Sequence, residues 1–310
     1  MNPYIVNGSS IMAFQRCRWR WVISWVMNRV PRNESPALAE GKLLHLLYED
    51  VFKGTRTMEE AIKFRCKEWL ETPTDEHGRI VAAKAVQGIA DRAEALVQWK
   101  DKYEWDIPVL EVEVPFEIEH PLDPMIHLRG RPDRVGVMQG SLWHVQNRGL
   151  AAACNFATYI DLATRHLHEH LYAVALVQKY PQYPYGGTLF NLTRKVKYRT
   201  KVTKANPLGE VKSLDQMMLQ YPMVVDLESA LHRHVMQTAL AHIYEMRRVE
   251  AEFLGDGTMP PPNESMNGGF NGSTIDPFFR VLTGKIDPMD DKYFKRREEM
   301  YGPVEEPCEG

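Results

Sequence analysis

The segment at residues 130–149, GRPDRVGVMQGSLWHVQNRG, carries three side chains that could together bind a cation and a phosphate. Its central Gln-Gly pair suits a two-residue hairpin loop, and strands folded back at that loop place Asp133 directly opposite Gln146. Such cross-strand partners have Cβ atoms about 4.5–5.5 Å apart, close enough to share one ion. Arg148 is two residues beyond Gln146 and therefore on the same face. Hard cations take oxygen ligands and arginine suits phosphate, so the hairpin predicts a divalent-metal and phosphate site.

Helices must position this hairpin, and the spacing of apolar residues predicts them on both sides of it. Serines suited to capping precede the first helix, and Thr57 precedes the third. The predicted helices cover 9–28, 37–52, 57–71, 79–103, 157–180 and 224–253.

Strands are predicted where the period changes from helical to alternating. Residues 109–118 alternate apolar and polar side chains, as a half-buried strand does. Strand-like segments follow at 126–137, 142–148 and 185–203. This order predicts an α/β (α+β) fold in which a central mixed β-sheet is flanked by helices.

The composition of the chain changes at Gly255, where proline, glycine, asparagine and acidic residues begin to dominate. We therefore expect one domain over 1–254 and an extended, partly disordered tail over 255–310.

Composition limits the class of protein but does not identify a partner. The 310 residues are 44% hydrophobic and 25% charged, with a net charge of −3. A long apolar run and a secretory signal are both missing, so neither membrane insertion nor secretion is expected. Four cysteines without CxxC spacing suit a reducing cytoplasm and predict no zinc site.

Five short motifs, in order along residues 9–192, resemble the RecB-like branch of the PD-(D/E)XK nuclease superfamily. The matches are S-x-x-x-F-x-x-C at Ser10, Phe14 and Cys17, G-x-x-x-H at Gly41 and His45, G-x-x-D at Gly130 and Asp133, the acid-x-lysine core motif at Gln146-Asn147-Arg148, and Q-x-x-x-Y at His168 and Tyr172. The resemblance implies a restriction-endonuclease-like core.

The resemblance also implies ligands for Mg²⁺ or Mn²⁺. They would be His45, Asp133, Gln146 and the main-chain carbonyl of Asn147. Arg148 would take the place of the lysine that orients or deprotonates water in such nucleases. The helix that carries His168 and Tyr172 would contact DNA. The iron–sulfur members of the family need a late cluster of three cysteines, and Cys308 stands alone, so no cluster is expected.

The core motif is degenerate at two positions. Gln146 offers a neutral oxygen, which would hold a metal more weakly than a carboxylate. Arg148 stays protonated and cannot act as a general base, although its charge could stabilise a phosphate transition state. Glu169 shares a helix face with His168 and Tyr172 and could supply the missing carboxylate.

A basic run follows the core motif and could track a DNA backbone. Its charges alternate with apolar residues, so a strand there would project a basic stripe. They are Arg194, Lys195, Lys197, Arg199, Lys201 and Lys204. A solvated surface is the simpler explanation of such a run of charges. Two other candidates also have simpler explanations: a structural role for His45 and packing in the core for Tyr172.

These patterns favour a metal-dependent DNA nuclease, of exonuclease type, acting in recombination, repair or phage DNA metabolism. Its expected location is the cytoplasm of a bacterial or phage-infected cell, with DNA ends and a possible recombination protein as partners. The Gln-x-Arg core also supports an alternative from another class: a catalytically inactive nuclease fold that binds DNA or joins a complex. Action on RNA is a third possibility.

Overall fold

The computed structural model describes residues 3–32, 35–73, 75–103, 107–113, 115–198, 211–260, 278, 281 and 285–297. The chain forms two compact units. The first comprises Met1–Asn33, Glu119–Leu128 and Met236–Gly310, and the second comprises Glu34–Ile118 and Arg129–Val235.

The helices of the described chain are α1 (Gly8–Arg16), α2 (Arg18–Trp21), α3 (Pro36–Phe52), α4 (Met58–Glu71), α5 (Glu76–Ala90), α6 (Ala93–Tyr103), α7 (Phe156–Ala163), α8 (Leu167–Lys179), α9 (Leu214–Met217) and α10 (Ala230–Asp256), with a π-helical turn at Val22–Val26. The strands are β1 (Tyr4–Asn7), β2 (Arg29–Pro31), β3 (Val109–Val112), β4 (Phe116–His120), β5 (Asp123–Gly130), β6 (Arg134–Met138), β7 (Ser141–Leu150), β8 (Tyr185–Arg194), β9 (Met218–Met223) and β10 (Phe294–Arg296).

The second unit is built on a five-stranded sheet of order β3-β6-β7-β8-β9. Strands β7 and β8 are parallel, and the other neighbours are antiparallel. The crossover between the parallel strands contains α7 and α8, as a parallel pair requires. The expectation of a mixed sheet flanked by helices is therefore confirmed.

The β6–β7 hairpin has the predicted register. Met138 pairs with Ser141 and Arg134 pairs with Val145. Gln139 and Gly140 both have positive φ, at 52° and 79°, which is the signature of a type I′ turn. Asp133 directly precedes β6, so a continuation of the same register places it opposite Gln146 of β7.

Helix α3 lies against this sheet through an apolar stripe of leucines. Leu43 and Leu47 are fully buried in a cluster that includes Ile89 and Leu96 of the following helices. Ser35 caps α3, and α4 begins with a complete capping box between Thr57 and Glu60. The stripe fixes the rotation of α3 about its axis and hence the position of His45.

Several predicted elements are divided in the structure. The predicted strand at 109–118 breaks at Glu113, and the predicted helices at 79–103 and 157–180 each break into two. Helix α7 ends where the Thr164 hydroxyl donates to the Asp161 carbonyl, a local bond that competes with helix continuation. The predicted strand at 185–203 ends at Arg194, and β9 was not expected at all.

The first unit contains described residues from the segment expected to be an extended tail. β10 pairs antiparallel with β2, with Phe294 opposite Pro31. Phe278, Val281 and Phe294 are buried with Cys17 and Ile23. These three residues of the segment therefore pack in a core with residues from the N-terminal helices.

Candidate metal and phosphate site

Three side chains of the second unit converge at one end of the sheet. They are His45 from α3, Glu113 directly after β3 and Asp133 directly before β6, and one ligand atom from each lies within 4.8 Å of the others. His45 Nδ1 is 3.6 Å from Asp133 Oδ2, and the His45 side chain is 38% exposed. The group therefore offers one nitrogen and two carboxylates at a position that solvent can reach.

Glu113 reaches this group because the backbone turns there. Its φ of 55° lies in the left-handed region, which residues other than glycine rarely adopt. The Glu113 N–H donates to the Asp133 carbonyl over 3.2 Å, which continues the β3–β6 pairing past Val112 and Arg134. Sequence reasoning missed Glu113. The available signal was Pro115, which cannot donate to a sheet ladder and so argued against one unbroken strand.

The pKa of Glu113 is raised to about 7, first by burial and then by the negative charge of Asp133, while Arg131 opposes the shift. Arg131 Nε lies 2.9 Å from Glu113 Oε2. Two carboxylates held this close repel each other, and a bound cation would relieve that repulsion. The donor set, two hard oxygen ligands and an imidazole, fits a small divalent metal ion.

Asp133 is oriented by Asn147 on the neighbouring strand. The Asn147 backbone N–H donates to Asp133 Oδ2 over 2.8 Å, and its side-chain Nδ2 lies 3.4 Å from the same oxygen. In an extended strand the C=O of a residue points to the same side as its N–H. The Asn147 carbonyl thus lies on the β6 side of β7, and its role as a main-chain ligand stays a prediction.

A chain of side-chain amides, buried at Asn147 and Asn191, extends behind Asn147 across the sheet. Gln220 Nε2 donates to Asn191 Oδ1 over 2.9 Å, and Asn191 Nδ2 donates to Asn147 Oδ1 over 3.1 Å. These residues are cross-strand neighbours on β9, β8 and β7. Every donor in this chain points toward Asp133, so the polar chain supports one orientation of that carboxylate.

The expected ligand Gln146 has other partners. Its side chain is buried, its Oε1 accepts a hydrogen bond from Arg148, and its Nε2 lies 3.2 Å from His144 Nε2. The oxygen that was expected to hold a metal is therefore occupied by a guanidinium. Among the described residues, the second carboxylate beside Asp133 is Glu113.

Glu169 is buried beside His144 rather than grouped with His45 and Asp133. Its Oε2 accepts from the Thr188 hydroxyl over 2.8 Å and lies 3.2 Å from His144 Nε2. Burial raises the pKa of Glu169, but the hydrogen bond and charge of His144 and the charge of Arg148 bring the net pKa below its usual value. Glu169 is thus an ionised carboxylate whose interactions are with His144, Thr188 and Arg148.

Arg148 lies between two negative charges. Burial lowers the pKa of its guanidinium, but the charge of Asp133, followed by the effects of Tyr159 and Glu169, raises the net pKa above its usual value. Arg148 therefore remains a cation that interacts with Asp133 of the candidate metal-binding group. It can attract a phosphate but cannot take a proton from water.

The helix α8 residues expected to contact DNA also pack around the site. The Tyr172 hydroxyl donates to the Arg131 carbonyl over 3.2 Å, and its ring meets the Phe116 and His144 rings edge-on. The His168 ring centroid is 6.1 Å from that of Tyr172. A Cβ at Gly130 would lie 2.5 Å from Phe116 and 2.7 Å from Tyr172, which explains the glycine of the G-x-x-D motif.

Of the predicted basic stripe, Arg194 is the last residue of β8, and Lys195 and Lys197 lie beyond the end of that strand. Arg194 donates to the Ala152 and Gln216 carbonyls, and Lys195 donates to the Ala37 carbonyl over 2.8 Å. Lys197 is exposed and lies 3.1 Å from Asp91. Arg199, Lys201 and Lys204 lie outside the described residues. Arg194 and Lys195 thus bind backbone carbonyls at the end of β8, where strand pairing stops.

A mixed sheet flanked by helices, with two carboxylates and a histidine at one end beside an arginine, defines the class of restriction-endonuclease-like proteins. The family model of the PD-(D/E)XK nuclease superfamily matches residues 6–261, and the chain belongs to this superfamily. No curated protein matches the chain. Within the described residues, no helix combines the length and apolar character needed to cross a membrane.

Proposed function

We propose that this protein is a metal-dependent deoxyribonuclease, of exonuclease type, that hydrolyses phosphodiester bonds at DNA ends in recombination, repair or phage DNA metabolism. The observation that carries the proposal is the placement of His45, Glu113 and Asp133 within ligand distance of one another, next to the cation of Arg148. Superfamily membership supports a nuclease, and the choice of DNA, the exonuclease mode and the pathway are proposals.

The metal ligands in this proposal are His45, Glu113, Asp133 and the Asn147 carbonyl. Glu113 replaces the charge that Gln146 lacks, so the core motif keeps two carboxylates although one comes from a different strand. A Mg²⁺ or Mn²⁺ ion bound there would polarise the phosphate and lower the pKa of a bound water. The raised pKa of Glu113 and the ordered Asp133 are what a site prepared for a cation requires.

Arg148 has the phosphate-binding role. Water attacks phosphorus, the bond from phosphorus to the leaving oxygen breaks, and that oxygen takes a proton. Negative charge spreads over the other phosphate oxygens in the transition state, and the fixed guanidinium stabilises it. Of the predicted DNA-contacting residues, His168 and Lys197 remain our candidates for binding the DNA backbone outside the scissile phosphate.

A second candidate function is a catalytically silent nuclease fold that binds DNA or joins a complex, including a complex with a recombination protein. The core motif has a glutamine in place of its usual acid and an arginine in place of the lysine base. The observation that favours the silent function is that these two side chains are hydrogen-bonded to each other. In this function the arginine would still bind phosphate, but hydrolysis would not follow.

Cleavage of end-labelled single- and double-stranded DNA with Mn²⁺ or Mg²⁺ separates the two functions. The wild-type protein should shorten the DNA from its ends, and Asp133→Ala should abolish the reaction. The matched control is Asp161→Ala, which removes an exposed carboxylate on α7. If neither the wild type nor the control cleaves DNA while both bind it, the silent function replaces the nuclease.

A further inference from the structure

Gln146 occupies the acid position of the core motif, yet its contacts are those of a residue that holds another side chain in place. Arg148 donates to its oxygen, and the Gln146 side chain is 1% exposed. Both residues lie on the same face of β7, as does His144. The three side chains thus form a continuous polar row along one strand.

The orientation of the Gln146 amide follows from its partner. A guanidinium has five donors and no acceptor, so only the amide oxygen can face Arg148. The amide nitrogen is then turned toward His144 Nε2, at 3.2 Å. An amide nitrogen does not coordinate hard cations, and the amide oxygen already accepts from a cation, which disfavours Gln146 as a metal ligand.

Buried partners hold the far end of this row. The His144 Nδ1 lies 2.8 Å from the Tyr185 hydroxyl, and its Nε2 lies 3.2 Å from Glu169 Oε2. Thr188 donates to the same carboxylate oxygen. His144 and Glu169 are both buried, so the far end of the row cannot rearrange without leaving polar groups unsatisfied.

We propose that Gln146 is a positioning residue for Arg148, and that Arg148 held in this way is a clamp for a phosphodiester anion of DNA, with His144 and Glu169 supporting the far end of the row. The inference deepens the proposed function by assigning the altered core motif to phosphate binding and the metal to a different set of residues. It rests on that proposed function for the identity of the anion and for the separate cation site.

The reason for such a clamp is the flexibility of arginine. A free arginine side chain samples many rotamers and loses that freedom when it binds, at a cost of up to about 2 kcal/mol. An arginine whose guanidinium is already fixed by Gln146 has lost this freedom before DNA arrives. Removing the acceptor should therefore weaken phosphate binding and leave the cation site intact.

The test is a double-mutant cycle with two separate measurements. The variants are Gln146→Met, which keeps the side-chain length but has no acceptor, Arg148→Met, and the pair together. Affinity for a short fluorescent DNA duplex is measured by anisotropy in the presence of a chelator. Affinity for Mn²⁺ alone is measured by calorimetry, and circular dichroism verifies the fold of each variant.

We expect Gln146→Met to weaken DNA binding about tenfold, the effect of losing one hydrogen bond to a charged group. It should have no further effect once Arg148 is Met, because the two residues act as one unit. Its Mn²⁺ affinity should stay within about twofold of the wild type, a difference small against one lost ligand. Gln87→Met, an exposed glutamine on α5, is the matched control and should change neither affinity.

Two results would overturn the proposal: additive effects of the two substitutions on DNA binding, or a Mn²⁺ affinity that falls in parallel with DNA affinity in Gln146→Met. If Gln146→Met does not fold, Gln146→Asn withdraws the acceptor by one methylene and is judged by the same two measurements. Neither measurement requires DNA cleavage. If the wild-type protein cleaves no DNA, the proposed function is refuted, but the double-mutant cycle still shows whether Gln146 positions Arg148.

Discussion

The backbone N–H of Glu113 donates to the backbone carbonyl of Asp133 over 3.2 Å, and this hydrogen bond brings two carboxylates from different strands into one group. It forms where Glu113 adopts a φ of 55° and ends β3. Holding a residue in this backbone region lowers the free energy of unfolding by about 1–3 kcal/mol, and such strain is typical of functional sites. Glu113 thus places a second carboxylate beside Asp133, while position 146 of the core motif carries a glutamine.

Glu113→Gln tests whether Glu113 is a metal ligand. The substitution keeps the size of the side chain but removes its charge, so Mn²⁺ affinity should fall about tenfold or more, which corresponds to about 1.4 kcal/mol. The control is Glu111→Gln on β3, whose carboxylate pairs with Lys179 at 2.6 Å. Isothermal titration with Mn²⁺ measures both. Equal affinities in the two variants would exclude Glu113 from the metal site.

The left-handed backbone at Glu113 predicts that this position tolerates glycine better than alanine. Glycine adopts the left-handed region without steric cost, so Glu113→Gly should be more stable than Glu113→Ala by roughly 1 kcal/mol. Both variants should bind Mn²⁺ weakly. Urea unfolding at one pH measures the difference in the free energy of unfolding. A less stable glycine variant would show that the turn at Glu113 is not strained.

The amide chain behind Asp133 can be broken in its middle. Asn191→Leu leaves the Asn147 oxygen and the Gln220 amide nitrogen without this partner, which should cost about 1–3 kcal/mol of unfolding free energy. Asp133 would then lose part of its orientation, and Mn²⁺ affinity should fall as well. Gln220→Ala is the control, since it removes the end of the chain farthest from Asp133 and should affect Mn²⁺ binding less. Identical losses in the two variants would contradict a directional chain.

A buried histidine pair predicts how stability depends on pH. His170 Nδ1 lies 3.0 Å from His232 Nδ1, and His170 Nε2 donates to the Thr164 carbonyl. Burial lowers the pKa of both histidines. For His170, the hydrogen bond to the Thr164 backbone and then the charge of Glu169 oppose this lowering of the pKa. For His232, the charges of His170 and Arg233 also lower the pKa, while Asp226 raises it. Folded-state pKa values below the unfolded value of about 6.5 mean that this stability is present above that pH and is lost below it.

We therefore expect the free energy of unfolding to fall between about pH 8 and about pH 5, and to fall less in His232→Gln, which keeps a donor but does not titrate. Urea unfolding across this range provides the measurement. An unchanged pH dependence in His232→Gln would show that other groups control acid stability. Thermal unfolding at about pH 8 verifies that the variant itself is folded.

Local sequence signals determined a large part of the fold. The type I′ turn at Gln139 and Gly140 set the hairpin register, because turn chemistry and strand alternation act within a few residues. Helix α3 and the capping box of α4 follow from apolar spacing and from Thr57 for the same reason. The ordered motifs identified the superfamily, and they placed His45, Asp133 and Arg148 at the site.

Only the tertiary structure decided which groups meet there. Glu113 and Asp133 lie 20 positions apart in the sequence but close together in the structure. The spacing of residues near Glu113 does not predict its left-handed backbone conformation. Gln146 accepts from Arg148, while the Asn147 backbone N–H donates to the Asp133 carboxylate, and neither partner is fixed by the spacing of residues in the sequence. Sequence alone determines which elements form, whereas the choice among competing polar partners depends on distances that exist only after those elements pack.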